Sequence, residues 1–253
     1  MDFTQLYERL SEIPDPNFWQ DAYMKFYNAW FEADRWKQYF QGLGTTIQVT
    51  VMALLIGVVL GVVVAMIRTA HDQQRPGQHN PLLAITNLIC KVYVTIIRGT
   101  PMMVQLLIMG LVIFASNRNK TLIGALSLGI NSGAYVAEII RGGLMSLDPG
   151  QMEAGRSLGL NYFDTMRFIV IPQAFKAILP SLGNEFITLL KDTSLISVVG
   201  GKEIVYFAQA IITRTYETMY PYLITAVMYL ILVLIFTWLQ GKLERRLRQS
   251  DRR

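Results

Sequence analysis

The stretch TTIQVTVMALLIGVVLGVVVAMI, residues 45–67, runs for 23 positions without a charged residue and stops at Arg68. At 1.5 Å of rise per residue, a helix of that length crosses a hydrocarbon core of about 30 Å with some tilt. Lipid offers the backbone no hydrogen-bond partners, so a single apolar segment of this kind must satisfy its own peptide groups as a helix. The fold class that follows is all-α, a polytopic membrane bundle. The bulk composition agrees: 52% of residues are hydrophobic and only 16% charged, where soluble domains carry about 25%.

Reading outward from this run, residues 71–81 are polar, contain Pro and Gly, and read as a loop. Residues 82–114 are apolar but interrupted by Lys91 and by Arg98-Gly99-Thr100-Pro101. Pro101 disfavours helical geometry at Thr100, so the chain is expected to break there. An amphipathic segment to about Ile97 and a second span over 101–114 result. After a short polar loop at 116–120, a third span covers 122–147. It is rich in small residues such as Gly124, Gly129, Ser132, Gly133 and Ala137, which let helices approach closely in lipid. A fourth span is expected at 179–199, a mixed polar loop at 200–221 with room for a short helix, and a fifth span at 222–239. Five spans place the termini on opposite sides of the membrane.

Residues 1–40 hold seven acidic groups and no apolar core of a signal peptide. Trp19, Tyr23, Phe26, Tyr27 and Trp30 recur at steps of three and four, the mark of an amphipathic helix. It either lies at the membrane interface or packs on the bundle. The chain thus divides into an N-terminal extracytoplasmic or interfacial segment (1–42), a transmembrane domain (43–240) and a basic tail (241–253). Lys242, Arg245, Arg246, Arg248, Arg252 and Arg253 directly follow the last span, as cytoplasmic tails do. No aromatic residues alternate with them, which argues against nucleic-acid binding. Segments 68–98, 141–176 and 242–253 together carry fourteen Lys and Arg, against eight in the other three. The richer set is expected in the cytoplasm, with the N-terminus outside and the C-terminus inside. Cys90 is the one cysteine, so no internal disulfide forms.

Between the third and fourth spans the chain is polar and well punctuated. Asp148 is placed to cap a helix beginning at Pro149, with Gln151 completing a capping-box variant and Gly159 ending it. Asn161 then caps a second short helix, with Asp164 in its first turn, which stops near Ile171 and Pro172. Within this stretch Glu153-Ala154-Gly155 is followed by Gly159, Ile169 and Ile171-Pro172. The spacing resembles the EAA loop of ATP-binding-cassette importer permeases, in which Glu-Ala-Ala is followed at the same intervals by Gly, Ile and Leu-Pro. Gly155 and Ile171 are the departures, and a mid-helix Gly costs about 1 kcal/mol of helix propensity. Arg98-Gly99-Thr100-Pro101 with Gln105, residues 137–143, and the runs at 183–186 and 190–194 resemble the polar amino acid subfamily. The resemblance covers roughly residues 43–240. Thr95 stands where many relatives carry an acidic residue.

What the resemblance implies is a type I importer subunit in the bacterial cell membrane. Its relatives pair as homo- or heterodimers, and two ATP-binding subunits and an extracytoplasmic amino-acid-binding protein complete the assembly. The 149–172 loop is then the element that docks on the ATPase, with Glu153, Ala154, Gly155, Gly159 and Pro172 as its marked positions. ATP and Mg belong to that partner: the chain has no Gly-x-x-x-x-Gly-Lys-[Ser/Thr] and hence no P-loop of its own. No cofactor, metal cluster or catalytic set is expected, which makes the chain a transport subunit and not an enzyme.

Ionisable groups inside spans are expensive and mark solute paths or internal pairs. Asn184, Thr188 and Lys191 share one face of the fourth span, and Glu185, Thr188 and Asp192 an overlapping one. Glu185 would meet a solute ammonium or a neighbouring helix. Lys191 would meet a solute carboxylate or pair with Asp192. Arg98 and Gln105 complete the expected path, and Glu138 with Arg141 reads as a structural pair. The same architecture serving another small polar solute is the nearest alternative. A secondary transporter or channel, the rival class, needs no ATPase-docking helix and often shows inverted repeats, absent here.

Overall fold

The computed structural model describes residues 3–74, 80–148 and 150–250, and among them every regular element is a helix. Helices α1 (Phe3–Ser11) and α2 (Phe18–Trp30) form an aromatic hairpin. Tyr7 stacks on Tyr27 at 4.4 Å and Phe3 on Phe31 at 5.2 Å. One side of α2 rests on the bundle, burying Tyr27 and Ala29, while Phe18 and Trp19 at its start stay exposed. The segment therefore both packs and presents an aromatic edge. Ala33 and Asp34, at φ +51° and +55°, turn the chain into the next helix.

Helix α3 (Arg35–Asp72) contains the uncharged run in its middle and continues without a break through the 42/43 boundary. It interlocks with α6 (Lys120–Met145), the small-residue span. A Cβ on Gly57 would sit 2.9 Å from Ser132 Cβ, and one on Gly61 2.7 Å from Val136 Cβ. Neither position has room for a larger residue, and the contact is the dispersion-driven packing that membrane interiors rely on.

Between them the structure corrects the expected second span. Helix α4 (Pro81–Gly99), capped by Asn80, has 19 residues and the length and composition to cross by itself. The expected span at 101–114 is instead α5 (Met102–Leu107) running into a π-helical turn, Ile108–Ile113. Twelve helical residues rise about 18 Å, short of the hydrocarbon core. Lys120 Nζ closes the turn by donating to the carbonyls of Gly110, Phe114 and Ala115 at 2.7, 3.1 and 3.0 Å.

Helices α7 (Gly150–Ser157) and α8 (Tyr162–Thr165) form the polar loop. Pro149, read as the first residue of α7, lies outside the described residues. The second short helix does not stop at Ile171-Pro172. A π-helical segment, Met166–Val170, leads straight into α9 (Ile171–Asp192). Pro172 lies in the first turn of α9, where a missing N–H costs little. A 3-10 turn, Thr193–Val199, and Gly200 at φ +89° end this arm.

Within the 200–221 segment the short helix is α10 (Ile204–Thr215), which buries Ile204, Ala208 and Ile211 and sits at 44° to the preceding arm. Helix α11 (Met219–Ser250) then spans and carries the basic tail as its own continuation. Arg252 and Arg253 are outside the described residues. Among the described residues four helices, α3, α4, α6 and α11, are long and apolar enough to cross, and the bent pair ending in α10 makes a fifth when it is taken as one span.

Candidate functional site

The polar loop is built to be stiff. Asp148 Oδ1 accepts from Gly150 N–H at 2.8 Å, satisfying a donor that the helix start leaves free. The capping-box partner is not Gln151, however. Its amide oxygen accepts from Gln173 Nε2 at 2.9 Å and so ties α7 to α9. At the other end of α7, Gly159 N–H donates to Arg156 O at 2.9 Å and Leu160 N–H to Gly155 O at 3.0 Å. That pair of bonds is a Schellman closure, and it needs the left-handed φ of +78° that Gly159 adopts. Asn161 and Asp164 then cap α8 reciprocally, Asn161 Oδ1 accepting from Asp164 N–H at 2.9 Å.

Gly155 is buried against Thr165, whose methyl and hydroxyl occupy the space a Cβ would need. The departure from the Glu-Ala-Ala pattern thus lets α7 lie flush on α8. Glu153 and Ala154 face outward beside Leu158, 77% exposed, and Phe163, 68% exposed. Leu158 and Phe163 are thus large apolar side chains left exposed on an otherwise polar loop. Tyr162 also reaches back to α3, its hydroxyl donating to Gln73 Oε1 at 2.6 Å.

The groups expected along a solute path fall into three places. Asn184, Thr188 and Lys191 are all exposed, so they share the one face of α9 that their spacing predicts. No ion pair joins Lys191 to Asp192, the arrangement weighed against solute binding. Glu185 is half-buried, and its Oε1 accepts from Ser132 Oγ on α6 at 2.7 Å. Its partner is therefore a neutral hydroxyl, and among the described residues no cation lies within ion-pair distance of it.

Gln105 has a structural task that its spacing did not reveal. Its Nε2 donates to Ile97 O at 2.8 Å and Thr100 Oγ1 at 2.7 Å, across the break before Pro101. Its Oε1 accepts from Asn131 Nδ2 at 3.0 Å. One side chain thus replaces the ladder bonds that Pro101 removes. Arg98, on the other side of the same break, lies 3.7 Å from Glu138 Oε2 and over the ring of Tyr135 at 5.3 Å. Glu138 also pairs with Arg68 and Arg141, so the expected Glu138–Arg141 pair is part of a larger set.

Residues 83–249 match the family model described as "binding-protein-dependent transport system inner membrane component". The chain belongs to that family. It is 34% identical over 212 residues to the glutamine transport system permease protein GlnP of Escherichia coli K12, covering 82% of this chain and 92% of that one. It is 33% identical over 214 residues to the arginine transport system permease protein ArtQ of Bacillus subtilis, covering 83% and 93%. Among solved structures, an amino acid ABC transporter crystallised with histidines superposes with a TM-score of 0.74 at 40% identity, over 83% of this chain and 94% of that one. An inward-facing MetNI methionine transporter shares the fold at a TM-score of 0.68 and 19% identity.

Three polar positions of this permease escaped the sequence reading. Ser132 was read only as a small packing residue, and Arg68 only as the end of a span. Glu203, set in an apparent loop, is fully buried. Its Oε1 caps α10 by accepting from Tyr206 N–H at 2.8 Å, and its Oε2 accepts from Tyr229 Oη on α11 at 2.8 Å. The Tyr229 hydroxyl lies 3.3 Å from Thr193 Oγ1, which joins the bend after α9 to both following helices. Glu203 precedes an apolar i, i+4, i+7 set, Ile204, Ala208 and Ile211, and that N-cap signature was the available signal.

Proposed function

We propose that this chain is the membrane-spanning subunit of an ATP-driven importer of polar amino acids. A separate ATP-binding subunit, carrying ATP and Mg, docks on the 149–172 loop. A second membrane subunit and an extracytoplasmic binding protein complete the assembly. The N-terminus lies outside and the basic tail in the cytoplasm, as the Lys and Arg distribution favours.

The observation that carries this reading is the connection between loop and path. Helix α7 is locked to α8 by Gly155 on Thr165 and to α9 by Gln151 with Gln173. From Tyr162 the backbone stays helical to Val199, past Glu185 and Lys191. A displacement received at the exposed Glu153 surface is thus delivered to the polar face of a span. The amino acid assignment draws on the glutamine and arginine transport systems named for the relatives, and on an acidic side chain of α9, Glu185, that no cation of the described residues pairs with.

Co-reconstitution with the ATPase and binding protein, followed by uptake of labelled glutamine and arginine, tests the proposal. Uptake should require ATP. Glu153→Lys and Gly159→Pro should each abolish it while the protein still inserts, since proline cannot adopt the φ of +78°. ATP-independent uptake, or wild-type uptake in both variants, would remove the assignment.

A further inference from the structure

Helix α2 ends an apolar groove on the outside of the bundle. The groove, of about 590 Å³, lies between α2, the start of α3 and the face of α11 from Tyr220 to Ile235, and its wall shows no polar atom. Phe26 and Trp30 of α2 and Phe40 of α3 line its α2 end. That end is held in place: Trp30 stacks on the buried Tyr39 at 5.6 Å and meets Phe40 edge-on at 6.2 Å. Trp19, Phe26 and Trp30 follow one another at steps of seven and four, which puts them on one face of α2. Trp19, 78% exposed, thus extends the same aromatic stripe past the groove.

Both long walls, α3 and α11, have the length and composition to cross a membrane, so the groove opens onto hydrocarbon. The rise from Tyr220 to Ile235 is about 22 Å, longer than one leaflet of a core about 30 Å thick. At the α2 end, Lys25 pairs with Asp21 at 2.7 Å and lies within electrostatic reach of Glu217 and Tyr220. One end of the groove is therefore aromatic and flanked by charge, as the headgroup level of a bilayer is, and the other is wholly apolar. A helix of another subunit is the rival occupant. Helices that pack in lipid meet through small residues, as α3 and α6 do at Gly57, Gly61 and Ser132. The groove has none, since every side chain on its wall is Val, Leu, Ile, Met or aromatic. Such a wall holds a helix backbone at a distance and leaves space for a slender, flexible chain. Lipid tails are as apolar as Leu, so what retains such a chain is dispersion contact with a preformed wall.

We infer that this groove holds an acyl chain of a membrane phospholipid, drawn from the leaflet on the N-terminal side, with Phe26 and Trp30 against its headgroup end. The site needs only that α3 and α11 cross the membrane, whatever the chain transports and whichever way it is oriented. It also gives α2, which precedes the stretch matching the family model, a task in the membrane.

The probe is a phosphatidylcholine brominated along its acyl chains, which quenches tryptophan on contact, titrated in detergent into the purified complex of membrane subunits and ATPase. Trp19→Phe, Trp36→Phe and Trp238→Phe leave Trp30 as the one tryptophan of this chain, and Trp30→Phe in the same background supplies the signal to subtract. Quenching of Trp30 should saturate as lipid is added. Val227→Phe and Ile231→Phe, at positions 53% and 51% exposed, put rings into the groove and leave the buried core alone. Together they should abolish the saturation and leave a shallow linear rise, the response to bulk lipid. Linear quenching without the two filling substitutions, or saturation that survives them, overturns the proposal. Photo-crosslinking supplies the second arm. The complex is washed with detergent to strip bulk lipid and then irradiated. With p-benzoylphenylalanine in place of Val227 it should still yield a phospholipid adduct, and in place of Leu230, exposed on α11 outside the groove, it should not. An adduct from position 227 to another protein subunit overturns the proposal in favour of a helix. No adduct there, or equal lipid adducts at both positions, overturns it in favour of unbound boundary lipid. ATP dependence of uptake is untouched by any of these results, so the importer reading stands or falls separately.

Discussion

Gly155→Ala restores the Glu-Ala-Ala pattern of the importer loop, and it should impair the protein. In an unconstrained helix the change is favourable by about 1 kcal/mol. In this structure the three atoms nearest the added methyl all belong to the Thr165 side chain, the most distant of them Cβ at 3.0 Å. Overpacking of that kind costs about 1–3 kcal/mol. The net effect is a loss of roughly 1 kcal/mol in the α7–α8 contact, or about fivefold in the population that presents Glu153 correctly. Thr165→Ala removes the two closest atoms, so the double variant should recover part of the loss despite forfeiting the Thr165–Asn161 bond of 2.9 Å. The assay is the affinity of the ATPase for detergent-solubilised permease, together with ATP-dependent uptake. The signature is a coupling energy of about 0.5–3 kcal/mol between the two positions. Strictly additive effects, or a Gly155→Ala variant that binds ATPase as well as wild type, would falsify the packing account of this glycine.

Other expectations follow from single contacts. Glu185→Gln keeps an acceptor for Ser132 and loses the charge, so solute affinity should fall by about one to two decades with thermal stability unchanged; a stability loss with unaltered affinity would make Glu185 a scaffold residue. Tyr229→Phe removes a donor from the buried Glu203 carboxylate and should lower stability by about 1–3 kcal/mol in thermal unfolding. Thr193→Ala, whose bond is longer at 3.3 Å, should cost less, and the reverse ranking contradicts the network as described. Arg118→Cys should react with an impermeant reagent from outside and Ser157→Cys only from inside; the opposite labelling overturns the orientation.

The spans were legible where nothing interrupts them, as at residues 45–67. The turn chemistry was legible too: Asn161 and Gly159 act as their residue types predict, because capping is decided within a few positions of sequence. Helix α4 was misread because Lys91 and Arg98 depress its apparent hydropathy, while in three dimensions both face a cleft and its other faces stay apolar. Pro172 signalled a stop that a π-helical turn made unnecessary. Helix α10 was legible only as a short helix of unplaced bounds, because Gln209 and Arg214 interrupt its apolar run, although Ile204, Ala208 and Ile211 keep the helical period. The partners of Glu185, Glu203 and Gln105 lie 53, 26 and 26 residues away in sequence, and no local pattern announces pairings of that kind.

The arm from Tyr162 to Asp192 is about 45 Å of helix with no loop in it. It is a lever, and what it can transmit depends on its compliance. Its ladder is interrupted at two points, the π-helical turn at Met166–Val170 and Pro180, where the ring forbids the i−4 bond. The second point is braced from outside, by Gln240 of α11 donating to Pro180 O at 3.2 Å. The first has no such brace from α11 and stands next to the loop. The Gln151–Gln173 bond crosses that first point, so in the proposed importer torque applied at α7 enters the arm on both sides of the turn, and the braced remainder would swing as a unit, carrying Glu185, Thr188 and Lys191 through a common arc.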